Sequence, residues 1–498
     1  MNNLKKMLCG ALCASMVLSM CACEETAPDS SAASPSTGVT TATTTTIDDD
    51  IENPVDVGNI DVSPSDFSSV ELETPVLKYM GNYDVTKAAD IKPAWKLYEQ
   101  TYAADYYDAA QEKYIYPDGA EKPIVVEVVA YNQIMETLTA RIQSDDSPDL
   151  VDKQSNSYPY FMSKNCYEDL TPYMDMSAPQ WVSLQSYVDR YEYNGKHYYY
   201  PWSFDVSPEW LYYNRALFVD YDIPDPAEQW KNGEWTWDTF LSACETFVSK
   251  ANNAGNDRAL GIYGSFVTDN FIASTGTMLI GLDENGKFVN NMKNADVERA
   301  VTWLEQNLRR PGLAMIDYYA EYNNIAEAPI VNGLAAFQSM GGWLFTNYCK
   351  NSPDSDIFLV PFPRDPNADD YYYRTSTFGY LVPKGAKNVQ GACCFINCCR
   401  LSTTNEELIE TTKQSMMKSK KYSEEEYDFM QQFKYVENFA AVVDENYCFD
   451  TDTSDQLQLM LINAAMDQSD SQQTWTQMVE SFMPVINGAI DDYNAMIN

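Results

Sequence analysis

Hydrophobic positions along this chain alternate between two periods. Val76-Leu77-Lys78-Tyr79-Met80 reads as a strand, and a helical stretch follows through Trp95 and Tyr98. Ile124 to Ala130 is a valine-rich strand. Ile134, Leu138 and Ile142 then recur every fourth residue, which predicts an amphipathic helix over 131–143. A Ser147-Pro148 turn leads into a short strand, Asp149-Leu150-Val151. Residues 191–200 alternate aromatic and polar positions around Asn194-Gly195, the preferred pair for a two-residue hairpin turn. A further helix begins at WTWDTF, where Thr236 is placed to cap and Asp238 sits favourably in the first turn. Val297, Ala300, Val301, Leu304 and Leu308 form one stripe of a helix packed on a sheet. Leu334 to Phe337 reads as a buried strand, and the last sixty residues look mostly helical. Strand and helix signals that alternate in this way predict an α/β fold, and no internal repeat is present.

Two segments near the N-terminus break the pattern. Lys5 and Lys6 precede an apolar stretch from Met7 to Met20, too short to span a bilayer and suited to a secretory leader. It ends Met20-Cys21-Ala22-Cys23, which resembles a bacterial lipobox. Cys23, preceded by the small Ala22, is the better candidate for lipid modification, and Cys21 is the runner-up. Residues 1–22 are then a lipoprotein signal peptide. Residues 23–70 are acidic and threonine-rich, with no Lys or Arg between Lys6 and Lys78. So little apolar surface cannot offset the entropy of ordering, and a flexible tether is expected.

Composition narrows the chemistry. The 498 residues hold 33 Lys+Arg against 73 Asp+Glu, a net charge of −40, which repels phosphate backbones and argues against nucleic acid. The 10 Trp, 36 Tyr and 20 Phe supply a core, and an excess of aromatics on an acidic chain is compatible with stacking on sugar rings. His197 is the one histidine, so imidazole-rich metal sites and His-based triads are not expected; it lies in the hairpin and is read as solvent-facing. Four of the 12 cysteines stand in GACCFINCCRLS. These adjacent pairs lack the knuckle spacing of zinc ribbons and read as a buried helix face of small hydrophobes. No cofactor and no metal are called for.

Eight strings, in order, carry a resemblance: SPDLV (147–151), CYEDLTPY (166–173), NGKHYYYP (194–201), LYYNRALF (211–218), GEWTWDTF (233–240), VNGLAAFQSMGGW (331–343), VPFP (360–363) and GYLVPKGAK (379–387). With the lipobox ahead of them, the chain resembles the extracellular solute-binding lipoproteins of ABC importers, in the carbohydrate-binding branch. That resemblance implies a two-lobed periplasmic-binding-protein-like fold (type 2), with a hinge and an interlobe cleft that closes on ligand. Carried onto this chain, lobe one is 75–203 with 376–432, and lobe two is 207–370 with 433–498. The crossings fall near Trp202 to Val206, near Arg374 to Gly379, and around Gln432. The implied partners are a small solute, the permease subunits of an ABC transporter, and the outer face of the cytoplasmic membrane through the lipid anchor.

A sugar offers a fan of hydroxyls and C–H patches, so its site pairs planar polar groups with an aromatic plate. The family places such groups at strand ends facing the cleft. That selects Asn82 and Tyr83 after the first strand, Asn156 and Tyr158 after the strand near 150, Trp202 and Asp205 at the hinge, and Trp343 behind Gly341-Gly342. Glu209 and Asp269 are weaker choices. A surface glycoside hydrolase, which needs only two carboxylates, and a receptor that presents ligand to a membrane sensor are the alternative readings. No nucleophile-elbow, zinc-protease or phosphate-loop string occurs.

Overall fold

The computed structural model describes residues 70–497 except 89, 207–208, 317–328, 343–355, 419–421, 434–438 and 467–472. Its first sheet holds four strands in the order Tyr380–Leu381, Leu150–Asp152, Leu77–Gly81, Ile124–Val128. Leu77 pairs with Ile124 and Tyr79 with Leu150, both parallel, whereas Tyr380 returns antiparallel to Asp152. Parallel neighbours need crossovers. The helix Lys92–Tyr102, with Pro93 in its first turn, lies in the first crossover. The helix Ile134–Gln143, burying Ile134 and Leu138, lies in the second. The first two predicted strands are thus present, as is the 131–143 helix, which opens with one 3-10 turn at Tyr131–Gln133.

The cysteine-rich segment is the helix Val389–Thr404, packed on Lys92–Tyr102. Cys393, Cys394, Cys398 and Cys399 are all fully buried as free thiols beside Trp95, Tyr98 and Phe395. Burial pushes each thiol pKa up. Among the described residues no group of His, Cys, Asp and Glu is arranged to hold a metal ion.

The larger sheet has five strands in the order Ala314–Ile316, Leu260–Gly264, Ala335–Gly341, Glu209–Asn214, Ile357–Val360. All seven residues of Ala335–Gly341 are buried, as befits a central strand with neighbours on both sides. The helix Trp237–Asn253 opens with a capping box between Thr236 and Thr239. The helix Ala295–Asn307 buries Val297, Ala300, Val301 and Leu304, the stripe read from the sequence. Helix Glu424–Gln431 sets Phe429 against Trp210 at 6.4 Å and Trp230 at 5.2 Å, on the side of this larger sheet.

Three strands form a separate small sheet, in the order Ala440–Val443, Tyr372–Phe378, Ser203–Val206. Thr375 pairs antiparallel with Val206, and Tyr372 pairs parallel with Ala440. Ser203–Val206 leads from the first sheet toward Glu209–Asn214 of the larger one, and Tyr372–Phe378 runs back to Tyr380–Leu381 of the first. The chain therefore crosses between the two α/β bodies through this sheet.

The Asn194-Gly195 turn forms, with φ of 54° and 70°. Its flanks pair only through an isolated bridge from Tyr193 to Lys196. Tyr198, Tyr199 and Tyr200 are all buried, so the burial of consecutive rings replaces the predicted alternation.

Candidate functional site

In open α/β sheets ligands gather outside the carboxyl ends of the strands. In the first sheet those ends are Gly81, Val128 and Asp152. Asn82 is exposed and Tyr83 half-buried just past the first. Tyr131 follows the second and is 62% exposed, an open ring that the sequence reading passed over as the start of a helix. Lys153 and Asn156, both half-buried, follow the third. In the larger sheet the strand Leu260–Gly264 ends at Ser265 and Phe266, the latter in the left-handed region at φ 53°. The neighbouring Ala335–Gly341 ends at Gly342. Trp343 comes next and lies outside the described residues, as does Cys23.

Two of the selected aromatics are occupied by the protein itself. Trp202 is 3% exposed, with its ring against Phe378 at 5.2 Å and Tyr380 at 6.1 Å. It closes the core under the first sheet rather than offering a face to ligand. Tyr158 is 2% exposed; its ring meets Tyr191 at 5.6 Å and Phe288 at 6.1 Å, and its hydroxyl donates to the Gly286 carbonyl at 2.9 Å. It ties the loop after Asp152 to the hairpin Ile280–Leu282/Phe288–Asn290. Asp205 sits opposite Ser376 in the crossing sheet, and its side chain is outside what the structure describes. His197 is not solvent-facing: its side chain is half-buried, with Nε2 3.0 Å from Asp189 Oδ1.

A polar network gathers beside the crossing strands. The Arg374 guanidinium donates to Asp444 Oδ2 through Nε at 2.8 Å and Nη2 at 2.5 Å, and lies over the Phe266 ring at 4.6 Å. Glu445 Oε1 accepts from Arg190 Nε and from the Tyr191 hydroxyl, each at 3.1 Å. Asp269 Oδ1 accepts from the Tyr447 hydroxyl at 2.8 Å and Asn446 Nδ2 at 3.1 Å. The stretch Asp444–Tyr447 thus ties the hinge, the first body through Arg190 and Tyr191, and the second body through Asp269. Lys153 Nζ sits over the rings of Tyr191 at 4.8 Å and Tyr199 at 5.5 Å. Burial draws its pKa down, while Glu445 pulls it back up.

Asp152 ends its strand with a carboxylate only 8% exposed. Oδ2 accepts from the Tyr79 hydroxyl at 2.7 Å, and Oδ1 is buried with no hydrogen-bond partner among the described residues. Burial pushes the Asp152 pKa up to about 6, against the pull of the Tyr79 bond. Asp269 is likewise raised by burial, with Arg374 acting to lower it. The network joins residues from 153 to 447, and no local string signals it. Of its members the sequence selects Asp269, as a weaker choice, while Lys153, two residues past the predicted strand Asp149-Leu150-Val151, occupies a position that strand-end reasoning reaches.

Residues 106–423 match the family profile of bacterial extracellular solute-binding proteins. No curated protein sequence matches the chain. Among solved structures, the UgpB protein of Mycobacterium tuberculosis, in complex with glycerophosphocholine, superposes with a TM-score of 0.58 at 14% identity, covering 83% of this chain and 99% of that one. The GacH receptor of Streptomyces glaucescens, solved unliganded and with acarbose, gives 0.57 at 15% identity, covering 84% and 99%. An ABC substrate-binding protein of Listeria monocytogenes, in complex with cycloalternan, gives 0.55 at 16% identity, covering 84% and 98%.

Proposed function

We propose, starting from a chain that belongs to the bacterial extracellular solute-binding proteins, that its solute is a sugar or oligosaccharide, captured in the cleft between two lobes and passed to the permeases of an ABC transporter. The observation that carries this reading is the pair of α/β sheets, the first with Asn82 and Tyr131 open at its strand ends, between which the chain crosses through a three-stranded sheet. Acarbose and cycloalternan, bound by two proteins of the same fold, support a saccharide. Asn82, Tyr83, Asn156 and Asp205 supply polar contacts in this reading, and Tyr131 and Trp343 supply plates. The chain binds and releases its solute unchanged.

Thermal-shift screening of the mature protein against mono- and oligosaccharides tests it. A true ligand at one hundred times its Kd adds about 2.7 kcal/mol of stability. Trp343→Ala is expected to weaken that ligand by about 1–3 kcal/mol, the order expected for one lost indole face, with the apo Tm nearly unchanged. Unchanged affinity with a collapsed Tm would instead assign Trp343 to the core, and the absence of any saccharide shift would overturn the ligand class.

The lipid anchor is part of the same proposal. Attachment is assigned to Cys23 and the 23–70 tether on the strength of the apolar stretch Met7 to Met20 and the Met20-Cys21-Ala22-Cys23 string. Cys23→Ser should leave the protein unprocessed or released into the medium. Membrane-bound, lipid-labelled Cys23→Ser protein would move the anchor to Cys21.

A further inference from the structure

We propose that a tyrosine-lined groove beside the hairpin Tyr107–Asp108/Lys113–Tyr114 is a second binding site, for neutral glycan chains, at the end of the first sheet away from the cleft. The hairpin is inserted in the crossover between Leu77–Gly81 and Ile124–Val128, a stretch with no strand signal in the sequence reading. It faces Lys96 and Glu99, on the helix Lys92–Tyr102, across a cavity of about 670 Å³. That volume lies within the usual range of small-ligand pockets, roughly 300–1,000 Å³.

The lining has the two components a glycan needs. Tyr114 and Tyr116 are nearly parallel, 5° apart with centroids at 5.9 Å, and Tyr106, outside the lining, packs on Tyr116 at 6.2 Å and 26°. Tyr107 sets its ring against Tyr114 at 5.1 Å and is 48% exposed. Tyr116 is 4% exposed and backs the others, while Tyr107 and the half-buried Tyr114 keep the free surface for the C–H faces of sugar units. Beneath them, Lys96 Nζ and Glu99 Oε2 join at 2.6 Å, and the Tyr116 hydroxyl donates to Glu99 Oε1 at 2.5 Å. Glu99 is 3% exposed with both oxygens taken by these bonds, so the groove offers Lys96 together with Glu112, Lys113 and Glu121 of its lining, two cations against two open carboxylates. It therefore suits uncharged hydroxyls better than an anion, which a chain of net charge −40 already repels.

The groove is also built in advance. Asp108 Oδ1 accepts from Ala110 N at 2.8 Å, Asp108 Oδ2 from Gln111 Nε2 at 2.7 Å, and Ile115 N donates to the Tyr106 carbonyl at 2.9 Å. Rings held in this way need little ordering when they bind. The groove precedes the amino end of Ile124–Val128, whereas the cleft lies past the carboxyl ends. A glycan too long for an interlobe cleft is thus able to dock here while the cleft is filled.

Native electrophoresis of the full mature chain through gels containing soluble starch, xylan, galactomannan or β-glucan tests the site. At least one polymer should retard the wild type. Tyr107→Ala/Tyr114→Ala should weaken that retardation about tenfold or more, the loss expected for two stacking faces, while the saccharide thermal shift of the cleft is kept. Tyr107→Phe/Tyr114→Phe should retain most of it, because the rings remain. Tyr107→Ala alone, at a half-exposed position, should fold normally and show a partial loss even if the double variant unfolds. The proposal is overturned if none of these polymers retards the wild type, or if Tyr107→Ala and the double variant run as the wild type does. Loss of the cleft shift with polymer retardation intact would count against the cleft reading alone.

Discussion

Asp444→Ala should lower the unfolding free energy of the apo protein by about 3–5 kcal/mol, one of the largest losses expected from a single substitution outside the apolar core. The Arg374 and Asp444 side chains are 5% and 8% exposed, and two guanidinium nitrogens converge on Asp444 Oδ2. Removing the carboxylate takes away the anion on which both nitrogens converge, and the Phe266 ring and the nearby Asp269 offset the desolvation of the buried guanidinium only in part. Asp444 also accepts from Asn446 N through Oδ1 at 2.8 Å, and its own N–H donates to the Thr375 carbonyl at 2.9 Å. The loss is therefore felt where the crossing strands meet. Urea unfolding at neutral pH measures it. The double change Arg374→Met/Asp444→Leu should recover most of the stability, since apolar replacement of a buried pair is often neutral or better. A single-variant loss below about 1 kcal/mol would mean that water reaches this pair and screens it.

Asp152→Asn should have the opposite sign, and the effect should depend on pH. The folded-state pKa of about 6 lies above the unfolded value, about 3.9. Between those values the folded chain holds a proton that the unfolded chain has lost, so stability falls as pH rises through the window. The contribution is complete below the unfolded pKa and gone above the folded one, a change of about 3 kcal/mol across roughly two pH units. Asparagine is neutral throughout and keeps an oxygen for the Tyr79 hydroxyl. The variant should match the wild type near pH 4 and exceed it by about 2–3 kcal/mol near pH 7.5. Paired urea titrations at the two pH values give the difference directly. A difference that does not change with pH would mean that Asp152 is solvated in the folded chain.

The scaffold was largely legible in the sequence because its signals are local. Ile124–Val128 holds three valines and an isoleucine in five residues, the apolar run Leu334 to Phe337 marks the first half of Ala335–Gly341 though not Gln338 to Gly341, and the stripe from Val297 to Leu308 states its period within twelve positions. The candidate site was less legible because burial is not local. Trp202 in a hinge reads the same whether it meets a ligand or meets Phe378 and Tyr380. Arg190 and Glu445 are 255 positions apart and Asp269 and Tyr447 178, and acidic residues are too common here for Asp444 or Glu445 to stand out. Tyr131 was missed for the converse reason. At the start of an amphipathic pattern it looked like helix, although the helix proper begins at Ile134 and leaves the ring at the strand end.

The four thiols of the helix Val389–Thr404 set a clock on the protein's life outside the cell. Sealed in the core, with pKa values raised, they offer almost no thiolate to an oxidant while the helix stays packed. Every transient opening exposes all four at once, and a sulfur oxidised in that interval is too polar to return to a dry interface. Survival in air is then governed by the local opening of this helix from Lys92–Tyr102, and not by the fraction of chains that are globally unfolded. Two homologous receptors of equal melting temperature, one with alanine at these positions, would share a stability and differ in shelf life.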